Sequence, residues 1–224
     1  MLPSLLPSLL NSQFAFLPMN TARITALILG MAAVAFTSSQ AGVSVSTHQE
    51  KPSERIAFSY EATDAVGRST CFYRGTGEFR HIGQAFPVGG GQSCEMASIT
   101  FKLMEFDPGV LGKRFSLRVY RLGAINKIPD SVSDLVSSQE GTLPEAMDPE
   151  GYISFAFDEA VKLDQGGSYL VLFAFEEPTS KDQRANALGF ERSDAPANYG
   201  RMWAYLNDKF VADAKSMTFF IQTR

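Results

Sequence analysis

The chain is short of the residues that carry most enzymatic chemistry. Its 224 residues include two histidines, His48 and His81, and two cysteines, Cys71 and Cys94. A zinc site needs three or four convergent ligands, so two distant histidines are too few, and two cysteines exclude a zinc ribbon. Their spacing excludes a Cys-x-x-Cys redox pair. No Gly-x-Ser-x-Gly elbow is present to expose a serine nucleophile. Gly89-Gly90-Gly91 lacks the Lys-Ser/Thr that follows in a phosphate loop, and reads as a wide turn. Basic blocks are missing: 20 Lys and Arg stand against 24 Asp and Glu, for a net charge of −4. That excludes nucleic acid as the expected partner, because phosphate binding needs clustered cations. Helical periodicity is scarce. Only Asp130–Gln139, with Val132, Leu135 and Val136, suggests a turn or two, and its serines weaken even that.

What is present begins with a segment built for export. From Met19 the chain reads MNTARITALILGMAAVAFTSSQAG. Arg23 precedes an apolar run from Ile24 to Phe36, and Ser39-Gln40-Ala41 supplies small residues for cleavage. This is the order of a secretory signal peptide. The reading is therefore residues 1–18 as an extension before the true start, 19–41 as signal peptide, 42–53 as a flexible polar lead-in, and 54–224 as one domain. The expected location is secreted or periplasmic, with no membrane span in the mature chain, since no later run reaches spanning length. In an oxidising compartment an even cysteine count reads as a Cys71–Cys94 disulfide. Such a bridge would contribute on the order of 3 kcal/mol.

The rest of the chain alternates with period two. Ile56, Phe58 and Tyr60 share one face, as do Ile99, Phe101 and Leu103, Phe115, Leu117 and Val119, Ile153, Phe155 and Phe157, and Phe219 and Ile221. Turn residues recur between these runs, at Gly75-Thr76-Gly77, Asp107-Pro108-Gly109, Asp148-Pro149-Glu150-Gly151 and Asp164-Gln165-Gly166-Gly167. Ser168–Phe175, SYLVLFAF, is apolar on both faces and predicts a strand covered on both sides. Together these predict an all-β chain of eight to ten short strands, folded as a sandwich or a barrel.

The order of the strands resembles a known family. Gly83-Gln84-Ala85-Phe86 is followed by Ser98-Ile99-Thr100-Phe101, then Leu117-Arg118-Val119-Tyr120. Leu163, Gly166 and Tyr169 then open the late apolar strand. Over residues 80–222 this is similar to the "choice-of-anchor" β-sandwich domains of exported bacterial proteins. The resemblance implies a jelly-roll-like sandwich of unknown binding role and supplies no catalytic residues. With it the expected fold becomes a single antiparallel β-sandwich of jelly-roll-like (galactose-binding-like) topology.

The segment Asn198–Phe210, NYGRMWAYLNDKF, is the one candidate for recognition. It holds the single tryptophan, Trp203. Trp203 and Tyr205 lie two apart and project to one face of a strand. With Tyr199, Arg201 and Asn207 they would make a stacking platform for a sugar ring. Glu176-Glu177 and Asp158-Glu159 end strands and offer two rival roles, as carboxylates of a glycoside hydrolase or as ligands of a structural Ca²⁺. No catalytic residue, metal ligand or organic cofactor is otherwise assigned. The expected function is an exported, non-catalytic binding or structural module, with a glycan or another exported protein as partner. The alternative is an exported hydrolase using loop carboxylates. A third class, an assembly or matrix subunit, would show a wide apolar patch or a long unpaired edge strand.

Overall fold

The computed structural model describes residues 42–63, 66–89, 91–130, 132–148, 151–179, 187–194 and 200–224. The expected signal peptide and its preceding extension lie outside them. Thirteen strands follow one another: β1 (Gly42–His48), β2 (Ile56–Tyr60), β3 (Val66–Tyr73), β4 (Phe79–Pro87), β5 (Cys94–Phe106), β6 (Arg114–Leu122) and β7 (Leu135–Thr142) come first. After these run β8 (Gly151–Leu163), β9 (Ser168–Phe175), β10 (Ala187–Ser193), β11 (Arg201–Leu206), β12 (Lys209–Asp213) and β13 (Phe219–Thr223). The described residues contain no α-helix, only a 3₁₀ turn at Pro108–Val110.

The all-β expectation agrees with this, but the sandwich does not. The sheet closes on itself as a nine-strand barrel in the order β10-β3-β4-β9-β6-β7-β1-β8-β5, with β5 returning to β10. Three short joints make the closure. Leu188, Gly189 and Phe190 pair with the end of β5, Phe72 and Tyr73 pair with the start of β4, and Gly42 and Val43 run parallel to Glu140 and Gly141. β5 divides one of its edges: Met96–Phe101 serve β13, and Leu103–Phe106 serve β10. A register shift between Gly189 and Phe190 lets β10 bend onto it. Off the ring, β13 and β2 extend from β5, and the β11–β12 hairpin pairs with β4. Period-two alternation is the same on the inner face of a sandwich and of a barrel, so these few edge pairings alone separate the two.

The inner face carries the core. Ile99, Phe101, Leu117, Val119, Phe155, Phe157, Val171, Phe173, Phe219 and Ile221 are all buried. At the centre Phe101, Phe115, Phe155, Phe173 and Phe190 meet with ring centroids 4.9–6.3 Å apart, mostly tilted or edge-on.

Other expectations also need correction. Residues 42–48, read as flexible lead-in, form β1, which pairs with β8 from Val43–Phe157 to His48–Tyr152. Its serines face solvent while Val43 and Val45 pack on the core. The Asp130–Gln139 segment turns and then enters β7 rather than a helix. Gln139 fixes it there, donating to the Glu159 carbonyl at 2.6 Å.

Cys71 and Cys94 form no disulfide; both are free thiols. Cys71 pairs with Leu188, which also pairs with Phe106 at the far end of β5 from Cys94. The 13 residues of β5 therefore lie between the two thiols, roughly 40 Å of strand path at about 3.3 Å per residue. That is far beyond bridging distance.

Candidate functional site

The site lies on the outer face of β6, β9, β4 and β11. Pairing registers place Trp203, Gly83, Leu172 and Arg118 in one row across these four strands. Tyr205 lies opposite His81 in the adjacent register. Gly83 is dictated by close approach: a Cβ there would sit 2.5 Å from the Val171 carbonyl oxygen and 2.9 Å from the Leu172 Cα. The outer side of β9 is apolar because it is covered. Leu170, Leu172, Ala85, Tyr120, Leu122 and Trp203 form a second cluster, roofed by Ile125, Tyr205 and Phe210.

The residues expected to form the platform therefore take different places. Trp203 has no exposed surface and serves as the hairpin's anchor, so it offers no face to a sugar. Tyr205 is half-buried, with one ring side toward Phe79 and His81 at 5.9 and 6.3 Å. Asn207 is a turn residue: Asn207 and Asp208 both take positive φ, 46° and 61°, as a two-residue hairpin turn of the I′ kind requires. Arg201 lies half-buried at the start of β11, opposite Ala85. Tyr199 lies outside the described residues.

A cleft of about 390 Å³ opens between the β11–β12 turn and the loop that follows β6. Tyr205 and Phe210 form its aromatic corner, with centroids 4.7 Å apart and planes at 54°. Ile128 adds an apolar wall, and Asp130, Asp208 and Lys209 supply polar groups. Backbone N–H groups of Ser133 and Val132 donate to Asp130 Oδ1 at 2.7 and 2.9 Å and hold its carboxyl below the ordinary carboxylate range. Asp130 is thus an ionised acceptor in a fixed position.

Behind Tyr205 lies a polar group that the sequence offered only as separate residues, His81, Arg118 and Glu176. His81 is buried in a stack on Phe79, 4.6 Å between centroids, and neither ring nitrogen meets a hydrogen-bond partner of good geometry among the described residues. Burial, reinforced by the Arg118 charge, lowers its pKa to about 4, so it is neutral near pH 7. Arg118 donates to Glu176 Oε1 at 2.8 Å, and the Ser116 hydroxyl bonds the same oxygen. Burial would raise the Glu176 carboxyl, but the Ser116 hydroxyl and Arg118 outweigh it and hold it low. The outward position of Arg118 in the alternation of β6 was the available sequence signal for this group.

Of the acids proposed for hydrolysis, Asp158 and Glu159 lie within β8 rather than at its end, and Glu176, Glu177 and Asp158 have structural partners. Glu176 is occupied as above. Glu177 accepts from the Arg114 N–H at 3.0 Å, and Asp158 accepts from the Gly42 N–H at 3.0 Å. Among the described residues no group of three or more His, Cys, Asp or Glu side chains could hold a metal ion.

No protein-family model and no curated protein matches the chain. A solved structure of the cysteine protease and lectin-like domains of Cwp84, a surface layer associated protein of Clostridium difficile, aligns with it at 13% identity and a TM-score of 0.41. The alignment covers 74% of this chain and 37% of that one. The chain thus spans little more than a third of that structure, and a likeness this slight assigns neither family nor activity.

Proposed function

We propose that the chain is an exported, non-catalytic binding module that takes a saccharide in the cleft between the β11–β12 turn and the loop after β6. Export rests on the residue 19–41 pattern. The observation that carries the binding reading is the aromatic corner of Tyr205 and Phe210, set beside two carboxylates and an ammonium in an open cleft. The C–H face of a pyranose fits against such rings. Its hydroxyls can donate to Asp130 and Asp208 and accept from Lys209.

A shallow, open cleft gives a weak complex, with Kd on the order of 0.1–1 mM. A glycan array followed by calorimetric titration of its best hits tests this, comparing wild type with Tyr205→Ala. The expected result is saturable binding to at least one oligosaccharide, reduced about tenfold or more by the substitution. Equal binding by Tyr205→Ala, or an empty array, refutes the reading. The hydrolase alternative is favoured by no geometric observation, because Glu176, Glu177 and Asp158 hold strands together.

A further inference from the structure

A second cleft lies on a different part of the barrel and has a different chemistry. It measures about 430 Å³ and opens between β2 and the end of β4. Phe58, Phe86 and Phe219 form its floor, with Phe86 5.9 Å from each of the other two rings. Ala57 and Ser59 line one side, and Pro87 and Gly89 the other. No charged side chain lines it.

Two features say what kind of occupant this cleft takes. The first is its wall. β2 is the last strand of the sheet path and among the described residues pairs only with β13, so its other edge presents main-chain donors and acceptors that no described strand takes up. Main-chain groups in a row are matched by another extended main chain. The opposite wall cannot pair in this way: Pro87 has no N–H, and the Val88 N–H is already bonded to the Gly167 carbonyl at 2.7 Å. The second feature is the charge pattern. The middle of the groove is apolar, whereas Glu54 and Arg55 precede β2, and Glu61 follows it in an ion pair with Lys51.

We propose that the free edge of β2 receives an extended polypeptide segment, apolar at alternate positions, whose inward side chains enter the Phe58–Phe86–Phe219 cleft. The added segment continues the sheet beyond β2, and its backbone supplies the hydrogen bonds that this edge lacks. Such strand addition draws affinity from the backbone and selectivity from the pocket that receives alternate side chains. It would make the chain an assembly or docking module independently of any saccharide binding.

The test uses the full exported chain and a synthetic peptide of residues 217–223, MTFFIQT, extended by terminal lysines for solubility. This segment already matches the other edge of β2 and alternates correctly. Amide chemical shifts are followed during titration. The expected result is saturable shifts centred on Ala57, Phe58 and Ser59. Binding should be lost when alternate peptide nitrogens are methylated, and weakened about tenfold by Phe58→Ala. No saturable shift at β2 overturns the proposal. So does undiminished binding of the methylated peptide, which would reveal apolar adhesion without strand pairing. The methylation arm needs no altered protein, so a folding defect in Phe58→Ala leaves the result decisive.

Discussion

His81 shows how a single buried group sets a property of the whole molecule. Its native pKa of about 4 lies below the ordinary value of 6.5. As pH falls below 6.5, the unfolded chain takes up a proton that the native chain refuses until about pH 4. The native state therefore loses stability across that window and keeps this contribution in full only above it. His81→Phe preserves the stack on Phe79 and Tyr205 and removes the titration. Urea unfolding at pH 7 and pH 5 should show wild type losing about 2 kcal/mol more than the variant over that interval. Parallel acid limbs would contradict the burial of a neutral imidazole. The cysteines make a second residue-scale prediction. Burial raises both thiols, and Cys71 is fully enclosed whereas Cys94 is half-exposed. One thiol, Cys94, should react slowly with a thiol reagent in the native protein, and Cys71 only after unfolding. Reductant should leave Tm unchanged; a drop of several degrees would restore the disulfide.

At the scale of elements, the period of the hydrophobic pattern located most strands, because each has one face that must be buried. It identified SYLVLFAF as a doubly covered strand from composition alone. It failed where pairing is carried by the backbone rather than by side chains. β1 has only Val43 and Val45 to mark it, and its serines disguised a strand as a tail. The β11–β12 hairpin was legible in Asn207-Asp208, two residues that tolerate positive φ between alternating runs, but Trp203 is buried in the face it shares with Tyr205 and anchors the hairpin. β1 bridges β8 and β7 and so closes the barrel. A chain beginning at Gln49 should lose cooperative thermal unfolding or drop in Tm by more than 10 °C, on the order of 2 kcal/mol or more for a domain of this size. An unchanged melting curve would show that β1 contributes nothing to closure.

At the largest scale, the described strands form a barrel whose inner face is spent on its own phenylalanine core. What remains for recognition lies outside, on the hairpin leaning against β4 and on the edge at β2. Long-range closure through Leu188–Phe190 leaves no trace in local periodicity, which is why a sandwich and this barrel read alike in sequence. The candidate site was legible only as a region: residues 198–210 bear the aromatic corner, while Asp130 comes from a loop distant in sequence. The central claim is that this corner binds saccharide. The most direct measurement is an amide chemical-shift titration of the ¹⁵N-labelled chain with cello-, chito-, xylo- and galacto-oligosaccharides. The predicted result is a saturable response to at least one of them, confined to Ile128–Asp130 and Tyr205–Phe210. A response confined to other residues, or none at millimolar saccharide across the panel, would contradict it.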